Sequence, residues 1–463
     1  MKRIPLLFAI LSLASASLLA QSSPIPLLYQ LSPTSIKPGH AAFPLSVHGT
    51  GFVSGATVLW NGQALPTTLV SESLVKASVP ASNVASRGTA SVAVANTGGI
   101  ASNVIYFTVR LGSPTVTLAA SATKIEEGTV TVADFNGDNI PDISVAGVYQ
   151  LDDLYIDTYL GNGHGGFTKV KGPRLGLVGA QVCWPNIAGD FTNNGKMDIA
   201  VCAGSELGDA PDGLFMFLGN GLGQFTQFKT GSMPFTTGAA ADMNGDGILD
   251  LVTQCDDGMA GLCIYVGNGD GTFTGTGGAQ PIAGYGIPVV GDFNGDGKLD
   301  VAIPTSHELA VFLGNGDGTV QAEVDYPMAF VTDSYPFAVV ADVNGDGYLD
   351  VITNAGNVML GDGKGSFTNS STIPFAGTEG SVGSQIVVGD INGDGKLDVA
   401  TSVSVGLTPT LAIALGNGDG TFQRPLPYNL EFFGAIGMAD FNNDGKLDFV
   451  GMGSPYNIVA VQK

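Results

Sequence analysis

The chain has few basic residues and few histidines, and each shortage excludes a class of function. Its 463 residues include 18 Lys and Arg against 41 Asp and Glu, a formal charge of −23, which excludes nucleic acid and anionic membranes as electrostatic partners. None of the four histidines, His40, His48, His164 and His307, has a partner set that indicates a nucleophile or a general base. Neither G-x-S-x-G nor H-E-x-x-H occurs. We therefore predict no catalytic residue and no organic cofactor.

Cysteine is also scarce, and its spacing excludes a zinc site. The four residues are Cys183, Cys202, Cys255 and Cys263, and none forms a C-x-x-C pair. Cys255 and Cys263 flank a short turn, so we expect them to form a disulfide across a hairpin. Cys183 and Cys202 could pair in the preceding repeat. Four free buried thiols are the alternative.

Long apolar runs are confined to the N-terminus. Lys2 and Arg3 precede the apolar stretch Ile4–Leu13, and small residues follow as far as Ala20. This pattern predicts a secretory signal peptide over residues 1–20, cleaved after Ala20 or Ala16. A membrane anchor is the alternative, but the run is shorter than the roughly 20 residues that a span needs. The sequence thus predicts an exported protein without a membrane span.

Glycine is abundant, at 68 residues, and apolar residues make up 44% of the chain, which indicates many turns and strands. In residues 21–110, short β-branched runs alternate with Gly, Pro and Asn turns, as in a small antiparallel sandwich. This stretch resembles the IPT/TIG family of Ig-like domains. The matching pieces are Ser32-Pro33, G-T-G-F (Gly49–Phe52), V-L-W-N-G (Val58–Gly62), V-P-A-S (Val79–Ser82) and S-N-x-x-x-F-T-V (Ser102–Val109). The resemblance implies an interaction or spacer module.

Residues 111–463 are periodic. A nine-residue motif, read as D-F-N-G-D-G-K-L-D at Asp292, recurs seven times at intervals of 48 to 56 residues. A second motif, L-G-N-G-D-G-T-F in its fullest form, follows each of the first six copies. The glycine-rich motif could suggest a phosphate cradle, but it recurs between strands without a following helix or Lys-Ser/Thr, so a structural turn is favoured.

Each repeat unit contains four apolar runs, and this count predicts the architecture. Four strands in each of seven units predict an all-β, seven-bladed β-propeller of four-stranded blades, here preceded by an Ig-like β-sandwich. The last unit has three strands, and strand 114–119 is expected to complete it and close the ring. A linear solenoid is the alternative, but it would need atypical capping repeats.

The nonapeptide has the composition of a cation-binding loop. Positions 1, 3, 5 and 9 carry side-chain oxygens, position 7 can offer its backbone carbonyl, and glycine at position 6 permits a left-handed turn. Hard oxygen ligands in this number suit Ca²⁺, which takes six to eight. An EF-hand loop would end in an acid at position 12, where Ile303 stands here. A solvated turn without metal is the alternative, but it does not explain an acid at positions 1 and 9 of every copy.

The copies are unequal, so we predict five to seven structural Ca²⁺ ions. The first copy has Asn139 for glycine and Pro141 at position 8, and the second has Thr192 and Asn194 at positions 3 and 5 and should bind weakly or not at all. Seven ions would change the formal charge from −23 to −9. The predicted metal residues are Asp134, Asn136, Asp138, Ile140, Asp142, Asp190, Asp198, Asp242, Asn244, Asp246, Ile248, Asp250, Asp292, Asn294, Asp296, Lys298, Asp300, Asp342, Asn344, Asp346, Tyr348, Asp350, Asp390, Asn392, Asp394, Lys396, Asp398, Asp440, Asn442, Asp444, Lys446 and Asp448.

These repeats resemble the FG-GAP/VCBS repeats of bacterial exported proteins and of the integrin α-subunit head. The resemblance implies a seven-bladed propeller with Ca²⁺ in the hairpin loops of one face and, in the integrin case, ligand binding on the opposite face. It favours a secreted, cell-surface or periplasmic protein of a bacterium that binds an extracellular protein or glycan. A carbohydrate-active enzyme, such as a polysaccharide lyase or hydrolase, is the alternative, and a purely structural surface protein is a third reading.

Several loop aromatics away from the predicted metal loops could contact such a ligand. They could equally fill gaps between blades. The residues are Tyr285, Tyr326, Phe330, Tyr335, Tyr428, Phe432 and Phe433.

Overall fold

The computed structural model describes residues 23–149, 153–175, 180–182, 186–205, 213–228, 238–256, 260–276, 280–282, 284–329, 336–375, 385–405, 408–432 and 434–463. The predicted signal peptide lies outside these residues. Their secondary structure is β throughout, apart from one 3-10 helix at Ala81–Val84, so the predicted all-β class is confirmed. Over the same ranges, no helix is long and apolar enough to cross a membrane.

The N-terminal strands form a two-sheet sandwich. In chain order they are β1 (Leu27–Ser32), β2 (Ser35–Ile36), β3 (Phe43–Thr50), β4 (Thr57–Trp60), β5 (Gln63–Ala64), β6 (Thr67–Ser71), β7 (Leu74–Val79), β8 (Gly88–Ala95) and β9 (Ile105–Val109). One sheet has the order β1-β3-β7-β6 and the other β2-β9-β8-β4-β5. Buried residues alternate along β7, as period-two side chains require. Phe107 lies in the core between the rings of Phe43 and Trp60.

The remaining strands form seven sheets, which we call blades 1 to 7. Blade 1 has β12 (Thr129–Ala133), β13 (Asp142–Tyr149), β14 (Asp153–Gly161) and β15 (Phe167–Arg174), preceded by β10 (Leu118–Ala120) and β11 (Ile125–Glu126). Blade 2 has β16 (Ala180–Val182), β17 (Ile187–Gly189), β18 (Asp198–Ser205), β19 (Gly213–Gly219) and β20 (Phe225–Phe228). Blade 3 has β21 (Gly238–Ala241), β22 (Asp250–Asp256), β23 (Ala260–Gly267), β24 (Phe273–Gly275) and β25 (Gln280–Pro281).

Blades 4 to 7 repeat the same plan. Blade 4 has β26 (Val289–Gly291), β27 (Asp300–Pro304), β28 (Glu308–Phe312) and β29 (Val324–Pro327). Blade 5 has β30 (Ala338–Ala341), β31 (Asp350–Thr353), β32 (Asn357–Gly361) and β33 (Phe367–Thr372). Blade 6 has β34 (Ile386–Gly389), β35 (Asp398–Val405), β36 (Thr408–Ala414) and β37 (Leu426–Tyr428). Blade 7 has β38 (Ile436–Ala439), β39 (Asp448–Gly451) and β40 (Tyr456–Gln462).

The blades form a closed ring. The strand that leads into each nonapeptide contacts its counterpart in the next blade. This series runs from β12 through β17, β21, β26, β30 and β34 to β38, and β38 contacts β12 again. Blade 7 gains its fourth strand from the start of the propeller, because β10 pairs antiparallel with β40, with Ala119 opposite Val461. The ring is therefore sealed by a sheet built from both ends of the propeller sequence.

Seven hydrophobic cores lie between consecutive blades. The core between blades 4 and 5, for example, joins Phe293 and Val311 to Met359 and Phe367. The second and third strands are the most buried, as in β27 and β28, whereas first strands such as β30 are half-buried. The first two apolar runs of each unit are nearly continuous, which predicts that the first and second strands are buried. The difference arises because the first strands meet around the axis of the ring, where no further sheet covers them.

Candidate metal centres

Each nonapeptide joins the first and second strands of its blade, and its first aspartate organises the turn. In blade 4, Asp292 Oδ1 accepts the N–H groups of Gly295 at 2.8 Å and Asp296 at 3.2 Å, and Oδ2 accepts Gly297 N–H at 2.9 Å. Because one carboxylate satisfies three successive backbone donors, the chain folds tightly around it. The Asp292 carboxylate would also face a cation bound in the loop.

Two positions of the loop need a left-handed backbone. At position 6, Gly297 has φ of 82°, and Asn139, which replaces glycine in the first copy, has φ of 64°. Position 4 is left-handed as well, with φ of 73° at Gly295 and 56° at Asn443. Only position 6 was predicted. The missed signal is that position 4 holds Gly or Asn in every copy, the two residues that tolerate this conformation best.

Positions 3, 5 and 7 are linked by hydrogen bonds within the same turn. Asn344 Nδ2 donates to Asp346 Oδ2 at 2.9 Å, and Asp346 Oδ1 accepts the N–H of Tyr348 at 2.9 Å. The other predicted position-7 residues also donate their N–H to position 5, and they are Ile140, Ile248, Lys298, Lys396 and Lys446.

The aspartate at position 9 is fully buried in each loop, and in blades 1 to 6 it links the loop to the glycine-rich turn. Asp300 Oδ2 accepts Phe293 N–H at 2.8 Å, and Oδ1 accepts Gly314 N–H at 2.7 Å. All seven position-9 side chains are 0% exposed, and they are Asp142, Asp198, Asp250, Asp300, Asp350, Asp398 and Asp448. Each of these carboxylates accepts the N–H of position 2 of its own loop.

Among the described residues no ion pair compensates the burial of these carboxylates, although the Arg110 guanidinium interacts electrostatically with Asp390 and Asp440. Desolvation, reinforced by repulsion from Asp292 and Asp296, raises the pKa of Asp300 to about 7. Desolvation likewise raises the pKa of Asp448 to about 8. Among the described residues, the salt bridges join Lys169 and Arg174 to Asp157 and Glu126, and none reaches a nonapeptide. The loop carboxylates therefore lack an ion-pair partner among the described residues.

The donor set of the loops fits a hard divalent cation. Over the described part of the chain, no three His, Cys, Asp or Glu side chains alone form a metal-holding group. The nonapeptide does not depend on such a group, because it combines carboxylates with an Asn amide oxygen and a backbone carbonyl. The Asp300 carboxylate, which accepts one N–H on each oxygen, still has lone pairs for a metal. Oxygen-only ligation of this kind suits Ca²⁺.

The second loop has the same fold but different chemistry. The Thr192 hydroxyl donates to Asp198 Oδ2 at 3.0 Å, and Asn194 Oδ1 accepts Lys196 N–H at 2.9 Å where the other loops use an aspartate. A hydroxyl donor thus satisfies the buried carboxylate directly. The weak binding predicted for Asp190 and Asp198 stays a prediction.

The glycine-rich turns hold neighbouring blades together. The N–H of the third glycine in each turn donates to the carbonyl at position 2 of the preceding blade's loop, as Gly365 does to Phe293 O at 2.9 Å. The other pairs are Gly165 to Phe441, Gly223 to Phe135, Gly271 to Phe191, Gly318 to Met243 and Gly420 to Val343. These N–H groups are used inside the protein, which agrees with a structural turn rather than a phosphate cradle.

Blade 7 has no glycine-rich turn, and a different pair of side chains closes the seam between blades 6 and 7. The buried Arg110 guanidinium, at the end of the Ig-like sandwich, donates to Ile391 O and to Gln462 Oε1. Gln462 Nε2 also donates to Ile391 O at 3.2 Å, and its N–H donates to Asp448 Oδ1 at 2.8 Å. Arg110 and Gln462 thus make the bonds that glycines make elsewhere, a role that sequence reasoning missed.

The Ig-like sandwich lies against the face of the propeller that carries the loops. Three of its donors reach the first aspartate of a loop, namely Ile25 N–H to Asp242 Oδ2 (2.9 Å), the Thr34 hydroxyl to Asp390 Oδ2 (3.2 Å) and the Thr89 hydroxyl to Asp440 Oδ2 (2.6 Å). In blade 4, Asp292 N–H donates to the Tyr29 hydroxyl at 3.1 Å and the Thr50 hydroxyl donates to Gly297 O at 3.2 Å. The loop face is therefore an interface within the chain.

Three of the loop aromatics contact other parts of the propeller, and Tyr285 is half-buried. Tyr326 packs edge-on against Phe367 and donates its hydroxyl to Gly365 O at 3.0 Å. Tyr428 donates to Val116 O at 3.0 Å, and Phe432 is buried. Phe330, Tyr335 and Phe433 lie outside the described residues.

The predicted Cys255–Cys263 disulfide is present, between β22 and β23. It is diagonal rather than directly cross-strand, because Cys255 pairs in register with Gly261 and Cys263 pairs with Thr253. Cys202 is also disulfide-bonded. Its predicted partner, Cys183, lies outside the described residues.

Family models match both parts of the chain. The FG-GAP-like repeat model matches residues 134–201, 242–303, 292–353 and 342–401, and the FG-GAP repeat model matches residues 382–421. The IPT/TIG domain model matches residues 26–109. No curated protein matches the chain.

Solved structures resemble the chain at low identity. An Agrocybe aegerita lectin that recognises non-reducing terminal N-acetylglucosamine is 17% identical, with a TM-score of 0.44 over 88% of this chain and 98% of the lectin. An auxiliary nutrient binding protein from Bacteroides ovatus is 12% identical, with a TM-score of 0.37 over 95% and 98% of the two chains. NanB sialidase from Streptococcus pneumoniae is 14% identical, with a TM-score of 0.33 over 95% and 68%. Such scores carry no information on ligand or activity.

Proposed function

Because this chain belongs to the FG-GAP repeat proteins and carries an N-terminal IPT/TIG domain, we propose that it is an exported recognition protein whose propeller is stabilised by Ca²⁺. The observation that carries the calcium proposal is the set of seven fully buried aspartates at position 9, which share their loops with further carboxylates and have no ion-pair partner among the described residues. A buried charge needs a counter-charge, a metal or a proton. Calcium would supply positive charge to the carboxylate oxygens of the loops.

The role proposed for calcium is structural. The loops at Asp242, Asp292, Asp342, Asp390 and Asp440 carry the full oxygen set, and the loop at Asp134 keeps its four side-chain ligands. Mg²⁺ demands stricter octahedral geometry and retains more water, so it suits these loops less well. Ions bound to the native state alone stabilise it by mass action. The expected stoichiometry is five to six ions, with the loop at Asp190 the weakest.

Metal analysis together with thermal melting tests the calcium proposal. The full chain, dialysed against Ca²⁺ and then freed of unbound ion, should retain five to six Ca²⁺ per chain. EGTA should lower its melting temperature, and added Ca²⁺, but not equimolar Mg²⁺, should restore it. A protein that retains no calcium and melts at the same temperature in EGTA would contradict the proposal.

Recognition is assigned to the end of the propeller opposite the loops. The Asp loops and glycine-rich turns lie at one end of each antiparallel sheet, and there the first aspartates accept hydrogen bonds from the Ig-like domain. The connections between second and third strands lie at the other end, where irregular loops commonly carry binding residues. The negative charge disfavours an acidic partner, so a neutral glycan or a protein surface is the ligand class proposed.

A binding screen tests this part. The full chain is applied to glycan and extracellular-protein arrays with Ca²⁺ and with EGTA, and any glycan hit is assayed for lyase and hydrolase turnover. Binding without turnover supports recognition, whereas turnover would replace it with the enzymatic alternative. Absence of any hit would favour a purely structural surface protein.

A further inference from the structure

The first aspartate of three loops is shared between the propeller and the Ig-like domain. In the loop of blade 7, Asp440 Oδ2 accepts the N–H of Gly445 at 2.7 Å from within the loop and the hydroxyl of Thr89 at 2.6 Å from the Ig-like domain. Asp390 Oδ2 is shared in the same way between Gly395 and Thr34. The docked domain thus fixes the orientation of carboxylates proposed to bind calcium.

The contact extends beyond these hydrogen bonds and is specific in shape. Leu27 packs against the hydrophobic core between blades 3 and 4, and Tyr106 packs against the core between blades 7 and 1. At Gly297, an added Cβ would lie 2.8 Å from the Glu72 carboxylate, so the domain approaches this loop closely. A loop that changed shape would therefore disturb the docked domain.

Without a cation, each complete loop holds three carboxylates within one nine-residue turn, and their repulsion favours opening of the turn. With a cation, the loop keeps the shape to which Thr34, Thr89 and Tyr29 are fitted. Hydrogen-bond partners of metal-binding carboxylates hold those ligands in position, and their loss typically weakens metal binding tenfold or more. Calcium binding and docking of the Ig-like domain thus both depend on the first aspartates of the loops.

We propose that docking of the Ig-like domain and calcium binding by the loops are thermodynamically coupled, so that the loop face is a calcium-dependent docking surface for the chain's own N-terminal domain. The inference rests on the proposed calcium role. Coupling of this kind is reciprocal: calcium favours the docked domain, and the docked domain raises calcium affinity by the same factor. Thr34 and Thr89 act as positioning residues.

Calcium titration of variants tests one direction of the coupling. Thr34→Val together with Thr89→Val removes both hydroxyls at nearly constant volume. The apparent calcium Kd of the loops at Asp390 and Asp440, measured by calorimetry, should then rise at least about five-fold. Thr89→Ser keeps a hydroxyl and should restore the affinity of one site. Thr57→Val is the matched control, because the Thr57 hydroxyl donates to Gly55 O within the Ig-like domain. A double variant within two-fold of this control would overturn the coupling.

Small-angle scattering of the unmodified full chain tests the other direction. Its maximum dimension should be shorter in Ca²⁺ than in EGTA, at a temperature at which the circular dichroism spectrum stays native, because the Ig-like domain leaves the loop face. Calcium binding and stabilisation with an unchanged dimension would overturn the coupling while leaving the calcium proposal intact. Failure to bind calcium at all would overturn both.

Discussion

The loops of blades 2 and 4 adopt the same conformation with different numbers of charges. In both, the position-9 aspartate accepts the N–H of position 2 and of the glycine-rich turn, as Asp198 does from Phe191 and Gly219 and Asp300 does from Phe293. In blade 2 a threonine hydroxyl also donates to that carboxylate, whereas blade 4 has an asparagine and a further aspartate in the loop.

This comparison separates what folds the loop from what the loop binds. The turn depends on carboxylates at positions 1 and 9 and on left-handed residues at positions 4 and 6, and blade 2 keeps all of these. The carboxylate at position 5 adds charge that the turn does not need. A third acid in six loops is therefore best explained by a cation. Removing either the cation or the position-5 carboxylate should reveal how the loops of blades 2 and 4 differ.

The largest effect is expected from pH in the absence of calcium. The pKa of Asp250 and Asp350 is raised to about 7 and that of Asp448 to about 8, against about 3.9 in an unfolded chain. The native state therefore binds more protons, and the stability from these groups is complete below about pH 4 and is lost as the pH rises through 7 to 8. In EGTA, urea unfolding should show stability higher at pH 5 than at pH 8 by several kcal/mol.

The stabilisation that calcium adds should have the opposite dependence on pH. Protons and Ca²⁺ compete for the same carboxylates, so the stabilisation by Ca²⁺ should be larger at pH 8 than at pH 5. A calcium-free protein that becomes less stable between pH 8 and pH 6 would contradict the charge argument.

The comparison extends to the seam between blades 6 and 7, where Arg110 replaces a backbone N–H. Arg110→Met removes two hydrogen bonds from a buried, charged group and leaves Ile391 O with Gln462 alone, so we expect a loss of about 3 kcal/mol in the free energy of unfolding. Arg87→Met is the control, because Arg87 is exposed in the same domain. Equal losses for the two variants in urea unfolding would show that Arg110 does not close the ring.

Exchanging the composition of the two loops tests the comparison directly. Asn294→Thr with Asp296→Asn gives blade 4 the oxygens of blade 2, and the protein should retain one Ca²⁺ fewer and lose about 2.7 kcal/mol of calcium-dependent stability at a hundredfold excess over Kd. The reciprocal change, Thr192→Asn with Asn194→Asp, should add one ion. Metal analysis after gel filtration measures both counts.

The control for this exchange lies in the same blade. Asn315→Thr with Asp317→Asn makes the equivalent change in the glycine-rich turn, whose side chains are exposed. That variant should leave the ion count unchanged. If it and the loop variant retain the same number of ions, the loop does not select the metal.

Periodicity explains which features could be predicted from the sequence. The blades, the loops and their ligand positions recur seven times, so each copy supports the others, and the fold class was confirmed. Arg110 and Thr89 occur once, and their partners Ile391 and Asp440 lie more than 280 residues away. No local pattern indicates such contacts, because they depend on how the Ig-like domain docks.

The loop aromatics show a second limit of prediction from the sequence. Tyr326 and Tyr428 stand in loops between strands, where the sequence allows a surface or a packing role. Packing prevails because a tyrosine ring can fill the space between blades while its hydroxyl reaches a backbone carbonyl. Only the positions of neighbouring blades decide between the two roles.

The smallest effect expected concerns backbone conformation alone. Gly347 stands at position 6 of the blade 5 loop with φ of 90°, and no heavy atom lies within 4 Å of the place where a Cβ would be added. Gly347→Ala should therefore cost only the strain of a left-handed alanine, about 1–2 kcal/mol. Gly347→Asn should cost less, because asparagine already adopts this conformation at position 139 with φ of 64°. If thermal unfolding shows both variants to be equally destabilised, the backbone freedom of glycine does not explain its presence at this position.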